Sequence, residues 1–283
     1  MIVGSIKEDL VLEKRVSITP ETAKNIIGLG LKVCIEKNYA NHLGIDDYDY
    51  KKNGVEIKDS SSEVLSSSNL IIKVNCPSEN EISLLKEKTI LIGMLNPIKN
   101  KDQIDKMIKK KIKTFSLELL PRITRAQSMD VLSSQSNLAG YRAVIDCVSE
   151  FEKAVPMMMT AAGTVPAAKI LVIGAGVAGL QAIATAKRLG AIVSATDVRA
   201  ASKEQVESLG GKFLTVEKVE DMETAGGYAK EASEDYKKKQ AEMIKEALKK
   251  NDIVICTALI PGKTAPRILT EDLVKLMKPG SII

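Results

Sequence analysis

The residues with the clearest chemical potential lie just after the apolar stretch 169–173. The pattern there is Gly-x-Gly-x-x-Gly, with its glycines at Gly174, Gly176 and Gly179. Such glycines permit a tight turn, let the backbone approach a pyrophosphate and let the next helix pack closely on the strand. Val177 and Ala178 fall at the predicted helix start, where unpaired N–H groups favour phosphate. The segment is therefore predicted to bind a dinucleotide.

An acidic residue, Asp197, stands at the end of the next predicted strand, followed by Val198 and Arg199. A carboxylate at this place accepts hydrogen bonds from the ribose hydroxyls of the adenosine half and repels a 2′-phosphate. The pattern therefore predicts a site for NAD(H) in preference to NADP(H), although Arg199 weakens that preference. A glycine turn that serves packing only, or a site for FAD or S-adenosylmethionine, is the alternative.

The bulk composition narrows the class of protein. The 283 residues are 45% hydrophobic and 27% charged, which is ordinary for a globular protein and leaves room for two domains. The net charge is +5 and aromatic residues make up 3%, so neither a basic surface nor stacking rings indicate nucleic acid. The basic run at residues 109–111 ends a helical pattern and is interpreted as a solvated face rather than a phosphate or lipid patch.

Cysteine and histidine are too scattered to predict a metal site. The four cysteines form no Cys-x-x-Cys pair, and the one histidine, His42, falls in a polar loop outside every motif. These features predict no bound metal, a reduced cytoplasmic compartment and a surface position for His42. No signal-peptide pattern is recognised at the N-terminus. The longest apolar stretch, 170–186, contains three glycines, so no direct membrane insertion is expected.

Strand and helix patterns alternate along the chain and predict an α/β fold with two doubly wound parallel sheets of the Rossmann type. A first domain over residues 1–130 carries no glycine fingerprint. Its expected strands cover residues 2–6, 31–35, 70–74, 89–95 and 112–117. Thr19 and Pro20 predict a capped helix start, and Gly30 predicts its end.

A second domain over residues 166–283 carries the fingerprint. Its expected strands cover residues 169–173, 191–196, 212–216 and 252–258. Residues 131–165 are predicted to form a nucleotide-contacting loop and then an interdomain helix from Leu138 to about Phe151. Near the C-terminus a helix capped by Thr270 should lead into a strand at residues 282–283. Because the sequence stops there, the second domain is interpreted as truncated at its C-terminal end.

Four segments carry a resemblance to a known family: residues 121–141, 157–166, 195–201 and 223–230. They are similar to the NAD(H)-binding part of the α subunit of the proton-translocating nicotinamide nucleotide transhydrogenases, and the similarity spans nearly the whole chain. The resemblance implies that NAD(H) binds to this chain and that a hydride passes directly to NADP(H) on a partner domain. It also implies coupling to proton translocation by a membrane domain that is not in this sequence.

By the same resemblance, the positions that match Arg122, Gln127, Asp130 and Ser133 contact the nicotinamide half of NAD(H). Arg122, Gln127 and Asp130 are taken as the catalytic candidates. An arginine can bridge a phosphate or a carboxamide, and a glutamine amide both donates and accepts hydrogen bonds. Without the resemblance, this segment is a polar interdomain loop.

A long polar stretch, residues 218–234, resembles the family's loop that closes on the nucleotide. Tyr228 matches the tyrosine of that loop and is expected to contact the cofactor. Connections between a strand and a helix usually take about 2–6 residues, so the length alone also fits an insertion without a role.

The family is related to the alanine dehydrogenases, in which the residues matching Arg15 and Lys73 handle pyruvate with the help of a histidine near the end of the next strand. Here that strand, residues 91–96, has no histidine. Losing this acid/base group removes a contribution of about 10²–10⁴-fold to the oxidation of an amino acid. Arg15 and Lys73 are therefore predicted to serve as structural, ion-pairing residues.

Hydride transfer between two nicotinamides moves no proton at the reacting carbon, so positioning is sufficient for catalysis. The chain is interpreted as the NAD(H)-binding component of a Re/Si-specific, proton-translocating NAD(P)⁺ transhydrogenase, active only with its partner components. The resemblance further implies a homodimer held at the cytoplasmic face of the inner membrane through partner subunits. An alanine-dehydrogenase-like enzyme and a non-catalytic NAD(H)-binding module are the alternatives.

Overall fold

The computed structural model describes residues 1–121, 123–199, 201–216, 234–259 and 265–283. The chain divides into two compact units, Met1–Val131 and Leu132–Ile283. Each unit contains a parallel sheet with helices packed against it. This arrangement confirms the predicted α/β class with two doubly wound sheets.

Six parallel strands form the sheet of the first unit, in the order β3-β2-β1-β4-β5-β6. They are β1 (Ile2–Ser5), β2 (Lys32–Glu36), β3 (Glu56–Lys58), β4 (Leu70–Asn75), β5 (Ile90–Met94) and β6 (Lys113–Ser116). The strand order reverses between β1 and β4, where Val3 lies opposite Leu70. Apolar clusters that include Leu91 and Val33 bury the sheet, as parallel sheets require.

Within the described part of the first unit, five α-helices accompany this sheet: α1 (Pro20–Gly28), α2 (Asp47–Lys51), α3 (Ser61–Ser67), α4 (Glu79–Leu84) and α5 (Lys101–Lys109). The start of α1 is as predicted, because the side chain of Thr19 accepts a hydrogen bond from the N–H of Thr22 and Pro20 is the first helical residue. Gly30 follows the helix with φ 81°, the left-handed conformation that glycine adopts without strain.

The second unit has a four-stranded parallel sheet in the order β11-β10-β9-β12, with the order reversing between β9 and β12. Its strands are β9 (Lys169–Ile173), β10 (Ile192–Thr196), β11 (Lys212–Phe213) and β12 (Ile253–Cys256), and a separate antiparallel hairpin is formed by β7 (Met158–Thr160) and β8 (Gly163–Val165). The helices described for this unit are α6 (Val131–Glu150), α7 (Val177–Arg188), α8 (Ser202–Ser208), α9 (Glu234–Leu248) and α10 (Glu271–Val274). Helix α6 starts at Val131, which is the last residue of the first unit. Buried clusters that include Val172 and Leu171 supply the core.

Several predicted boundaries were wrong. Helix α6 begins at Val131, not at Leu138, so the serine-rich stretch expected to be a loop is helical. Serine has a middling helix propensity, so a serine-rich composition does not decide between loop and helix. Strand β11 has two residues instead of the expected 212–216. The short strand β3 and the β7–β8 hairpin were not predicted, because three-residue strands show too little alternation to recognise.

The C-terminal end also differs from expectation. Thr270 occupies the cap position of α10, but its side chain makes no capping hydrogen bond. Ile282 forms an isolated parallel bridge with Ile253 instead of a continuous strand. Among the helices that the structure describes, none is both long and apolar enough to cross a membrane.

Candidate functional site

The glycine loop follows β9 and begins at Gly174. This residue has φ 98°, and its N–H donates to the carbonyl of Thr196 at 2.8 Å. A Cβ on Gly179 would lie 1.9 Å from the carbonyl oxygen of Gly174, so α7 packs directly on the loop. Among the described residues, the atom nearest to a Cβ added at Gly176 would be Nη2 of Arg199, at 4.0 Å. The loop thus combines close packing on one side with open space on the other, as a bound diphosphate requires.

The N-terminus of α7 faces the loop with unpaired donors. The cap residue Gly176 has no side chain, and within the described residues no acceptor is found for the N–H groups of Gly176, Val177 and Ala178. The first N–H groups of a helix lack intrahelical partners and carry the positive end of the helix dipole. These three groups can therefore receive phosphate oxygens.

The carboxylate of Asp197 lies beyond the carboxyl end of β10, with its side chain 7% exposed. Its Oδ2 accepts a hydrogen bond from the N–H of Ala175 at 2.6 Å, and its Oδ1 accepts one from the N–H of Arg199 at 2.9 Å. The guanidinium of Arg199 binds the same carboxylate, with Nε 2.9 Å from Oδ1 and Nη2 3.0 Å from Oδ2. The structure therefore brings Asp197 and Arg199 to the glycine loop.

Electrostatics keep Asp197 ionised. Burial alone would raise the pKa of this carboxyl, but hydrogen bonds from Arg199 and Ala175 and the charge of the guanidinium outweigh burial and lower the pKa below its usual value. The neighbouring Val198 is partly buried and packs against Val216. The side of the loop next to β10 thus carries a fixed negative charge with an arginine beside it.

A second close approach fixes the start of α7 against α6. A Cβ on Gly140 would lie 2.0 Å from the carbonyl oxygen of Ala178, so the two helices touch at backbone distance. Glycine inside a helix costs about 1 kcal/mol relative to alanine. Because a glycine inside a helical pattern usually has a packing or functional reason, Gly140 was the sequence signal that could have indicated the contact between α6 and α7.

The predicted nicotinamide-side residues fall on two neighbouring elements. Gln127 is exposed in a 3₁₀ segment, Thr124–Met129, and its carbonyl accepts from the N–H of Asp130 at 3.2 Å. Asp130 precedes α6, and Ser133 lies in the first turn of that helix, not in a loop. Gln127 and Asp130 therefore lie close together. Two other predicted contacts, Arg122 and Tyr228, lie outside the described residues.

The pair expected to form ion pairs does so. The buried ammonium of Lys73 lies 2.7 Å from Oε1 of Glu81 and 3.6 Å from Oε2 of Glu8. Arg15 binds Glu13, with Nη2 2.6 Å from Oε2. Burial raises the pKa of Glu8 despite the nearby charge of Lys73. Both cations are thus held by carboxylates of the same unit, which agrees with the predicted structural role.

The strand whose end would hold the histidine of an alanine dehydrogenase is β5. Asn96 follows it with φ 42°, and its N–H donates to Oε1 of Glu118 at 2.5 Å. His42 is exposed, as predicted, and its Nε2 lies 2.7 Å from the carbonyl oxygen of Lys14. No group of metal-ligating side chains is found among the described residues.

One member of the basic run was interpreted incorrectly. The ammonium of Lys110 donates to the carbonyls of Ile82, Ser83 and Leu85 at 2.9, 2.5 and 3.0 Å. It therefore satisfies the carbonyl groups at the end of α4, where cations also complement the helix dipole. Lys110 is a structural residue and not part of a solvated face.

The fold and the site define a class of protein: a two-unit α/β chain with a glycine-rich loop of the kind found in dinucleotide-binding folds, at the point where the strand order of its second sheet reverses. Two family models match the chain: the alanine dehydrogenase/PNT N-terminal domain over residues 4–139 and the C-terminal domain over residues 143–283. The chain belongs to this family.

Similar proteins include transhydrogenases and, at 30% identity with 100% of this chain and 71% of that protein covered, an alanine dehydrogenase of Methanococcus maripaludis. The chain is 54% identical to an NAD(P) transhydrogenase subunit alpha polypeptide of Rhodospirillum rubrum, with 96% of this chain and 72% of that protein covered. It is 48% identical to the protein of the same name from Rickettsia prowazekii, with 100% and 75% covered. Among solved structures, the transhydrogenase of Sinorhizobium meliloti matches with a TM-score of 0.88 and 47% identity, covering all of this chain and 77% of that one.

Proposed function

We propose that this chain is the NAD(H)-binding component of a proton-translocating transhydrogenase. The observation that carries the proposal is the carboxylate of Asp197, which accepts a hydrogen bond from the N–H of Ala175 beside the open face of Gly176. A carboxylate in this position receives the ribose hydroxyls of NAD(H) and repels the 2′-phosphate of NADP(H). The transhydrogenase activity is inferred from the family to which the chain belongs and from the names of similar proteins.

The residues of the second unit bind the cofactor. The N–H groups of Gly176, Val177 and Ala178 donate hydrogen bonds to the diphosphate, and the carboxylate of Asp197 accepts hydrogen bonds from the hydroxyls of the adenosine ribose. Arg199 occupies both carboxylate oxygens of Asp197 in this structure, so the ribose must share the carboxylate with the guanidinium or displace it. Val198 stands between Asp197 and Arg199 in the sequence, and its backbone is proposed to contact the adenosine half. Tyr228 is proposed to contact the nucleotide as the family resemblance implies.

The nicotinamide is oriented by Arg122, Gln127, Asp130 and Ser133. NADH supplies the hydride, and the partner component holds NADP⁺ as its acceptor. Gln127 suits the positioning task because a neutral amide both donates and accepts hydrogen bonds and does not titrate. Its exposed position leaves the side chain accessible to a bound nucleotide. Since no proton is exchanged at the reacting carbon, orientation and distance determine the rate.

The structure disfavours an alanine-dehydrogenase-like activity. A 2-oxo acid needs a cation for its carboxylate, but Lys73 already lies between Glu8 and Glu81, and Arg15 is bound by Glu13. Breaking the buried ion pairs of Lys73 costs several kcal/mol, whereas the pair of Arg15, whose side chain is 44% exposed, costs less. Turnover of alanine and pyruvate by the isolated chain would restore this alternative.

The β7–β8 hairpin supports the proposed homodimer. All six strand residues are exposed, and Met157 and Met159 are 60% and 72% exposed. An isolated two-stranded hairpin is marginally stable in water, and methionine side chains adapt well to a partner surface. Through its partner components, the dimer would be held at the cytoplasmic face of the inner membrane. Sedimentation of the wild-type chain and of Met159→Glu tests the dimer, which the charge should dissociate.

The proposed function is tested by adding an NADP(H)-binding transhydrogenase component and following NADP⁺ reduction by NADH. Transfer that requires both proteins supports the proposal. Binding of NADH without any transfer would make the chain a non-catalytic NAD(H)-binding module.

A further inference from the structure

Thr257 links the two strands at which the order of the second sheet reverses. It directly follows β12, and its N–H donates to the carbonyl of Ile173, the last residue of β9, at 2.8 Å. Its hydroxyl Oγ1 donates to the carbonyl of Gly174 at 2.9 Å. The half-buried side chain of Thr257 thus supports the first residue of the glycine loop from the neighbouring strand.

Gly174 and Gly179 leave little freedom for this hydroxyl. A Cβ on Gly174 would lie 2.8 Å from Oγ1 of Thr257, and a Cβ on Gly179 would lie 3.0 Å from the same atom. Both glycines therefore pack against the threonine hydroxyl. No larger side chain fits at either position without displacing it.

The peptide group between Gly174 and Ala175 is held on both sides. Its carbonyl accepts from Thr257, and its N–H, which belongs to Ala175, donates to Oδ2 of Asp197 at 2.6 Å. Because a peptide group is planar and rigid, the direction of its carbonyl fixes the direction of its N–H. A hydrogen bond on the Thr257 side is thereby transmitted to the carboxylate of Asp197.

We propose that Thr257 is a positioning residue that sets the orientation of Asp197 through the Gly174–Ala175 peptide group, and so contributes to the discrimination between NADH and NADPH. The inference rests on the proposed function for its cofactor, but its geometry does not depend on that cofactor. Thr257→Val removes the donor while keeping the shape and leaves the Gly174 carbonyl without this partner. Thr257→Ser keeps the hydroxyl.

Thr185→Val is the matched control. Thr185 is also in the second unit, and its hydroxyl also donates to a carbonyl, that of Gln181 at 2.8 Å. It lies within α7, away from the Gly174–Ala175 peptide group. Any loss that follows merely from removing a threonine hydroxyl should appear in this control as well.

The first measurement is the ratio of NADPH to NADH dissociation constants, taken by calorimetry on the full chain. Thr257→Val should reduce the ratio roughly 2–10-fold, the range that one hydrogen bond spans, while Thr257→Ser and Thr185→Val keep the wild-type ratio. In an Asp197→Asn background, Thr257→Val should change the ratio much less, because the two residues act through one path. An unchanged ratio in Thr257→Val, or equal loss of both affinities, would overturn the inference.

The second measurement needs no nucleotide and separates this inference from the proposed function. Amide hydrogen exchange of Ala175 should become faster in Thr257→Val and stay at the wild-type rate in Thr257→Ser. If the wild-type chain bound NADH and NADPH equally, the proposed function would fail while faster Ala175 exchange still supported the link. Wild-type exchange in Thr257→Val would overturn the link whatever the cofactor. If Thr257→Val does not fold, Thr257→Ala serves in both measurements.

Discussion

Arg199 folds back onto Asp197 and binds both of its carboxylate oxygens, with Nε 2.9 Å from Oδ1 and Nη2 3.0 Å from Oδ2. The side chains are 18% and 7% exposed, so the pair is largely shielded from water. The guanidinium stabilises the ionised form of the carboxylate, which is the form that the proposed contact with the ribose of NAD(H) requires. The same guanidinium would favour a 2′-phosphate if the carboxylate lost its charge.

Asp197→Asn should therefore narrow the preference for NADH over NADPH by tenfold or more. The neutral amide no longer repels a 2′-phosphate, and Arg199 is released from its charged partner. Calorimetric titration with both nucleotides measures the change. Asp252→Asn is the control, because Asp252 is another carboxylate of the same unit with a lowered pKa, paired with Lys278. Equal affinities in the wild-type chain would contradict the assignment of Asp197.

The nucleotide preference should not depend on pH between about 7.5 and 9, where the 2′-phosphate of NADPH, a phosphate monoester with a second pKa of about 6, is already a dianion. The pKa of Asp197 is lowered below the ordinary value for aspartate of about 3.9, so the carboxylate stays charged across that range. A depressed pKa contributes stability above the unfolded-state pKa and loses it as the pH falls through the folded-state value. Wild-type stability relative to Asp197→Asn should accordingly decrease only below about pH 4. A preference that titrates within that range would show that another group of the protein controls it.

Substituting alanine for each of two loop glycines should have different effects on stability and on NADH affinity. Gly176→Ala places a methyl group in open space, so the melting temperature should stay near wild type while NADH affinity falls at least tenfold. Gly179→Ala places the methyl 1.9 Å from the carbonyl oxygen of Gly174, so it should destabilise the second unit itself. Calorimetry and thermal unfolding separate the two effects. Normal NADH affinity in Gly176→Ala would mean that the open face is not the diphosphate site.

Structural features that depend on residues close together in the sequence could be predicted, whereas features that depend on distant residues could not. The glycine loop and Asp197 were predictable because the fingerprint is a local pattern, and the start of α1 followed from Thr19 and Pro20. Thr257 contacts Gly174, and Gly140 contacts Ala178. Both contacts join residues that lie far apart in the sequence, so no local pattern indicated them. The early start of α6 was missed for a different reason: serine has a middling helix propensity, so a serine-rich stretch does not decide between loop and helix.

Lys73→Met should destabilise the chain by about 3–5 kcal/mol, because it leaves Glu8 and Glu81 without their buried cation. NADH affinity and hydride transfer by the folded fraction should stay unchanged, since this unit's ion pairs take no part in the proposed chemistry. Lys106→Met is the control from the same unit, because Lys106 pairs with Glu79 at the surface and should contribute only about 0–1 kcal/mol. Chemical denaturation measures both. A stable Lys73→Met variant with impaired transfer would assign Lys73 to the reaction.

Gln127→Asn should lower hydride transfer by much more than NADH affinity. The shorter side chain keeps its amide but cannot reach the same position, so the nicotinamide loses its orientation. Single-turnover transfer to a partner component, compared with NADH titration, separates the two quantities. Gln135→Asn, on the neighbouring helix α6, tests whether any shortened amide has this effect. A parallel loss of binding and transfer would make Gln127 an ordinary cofactor contact.

Whether this chain presents NADH for direct hydride transfer is decided by following deuterium from NADH labelled at C4 on the transferred position. The chain is mixed with an NADP(H)-binding transhydrogenase component and NADP⁺, and the NADPH formed is examined by mass spectrometry. Direct transfer predicts that the label appears in NADPH in full and that none is exchanged with water. Absence of NADPH, or NADPH that carries hydrogen from the solvent, would contradict the proposed direct transfer.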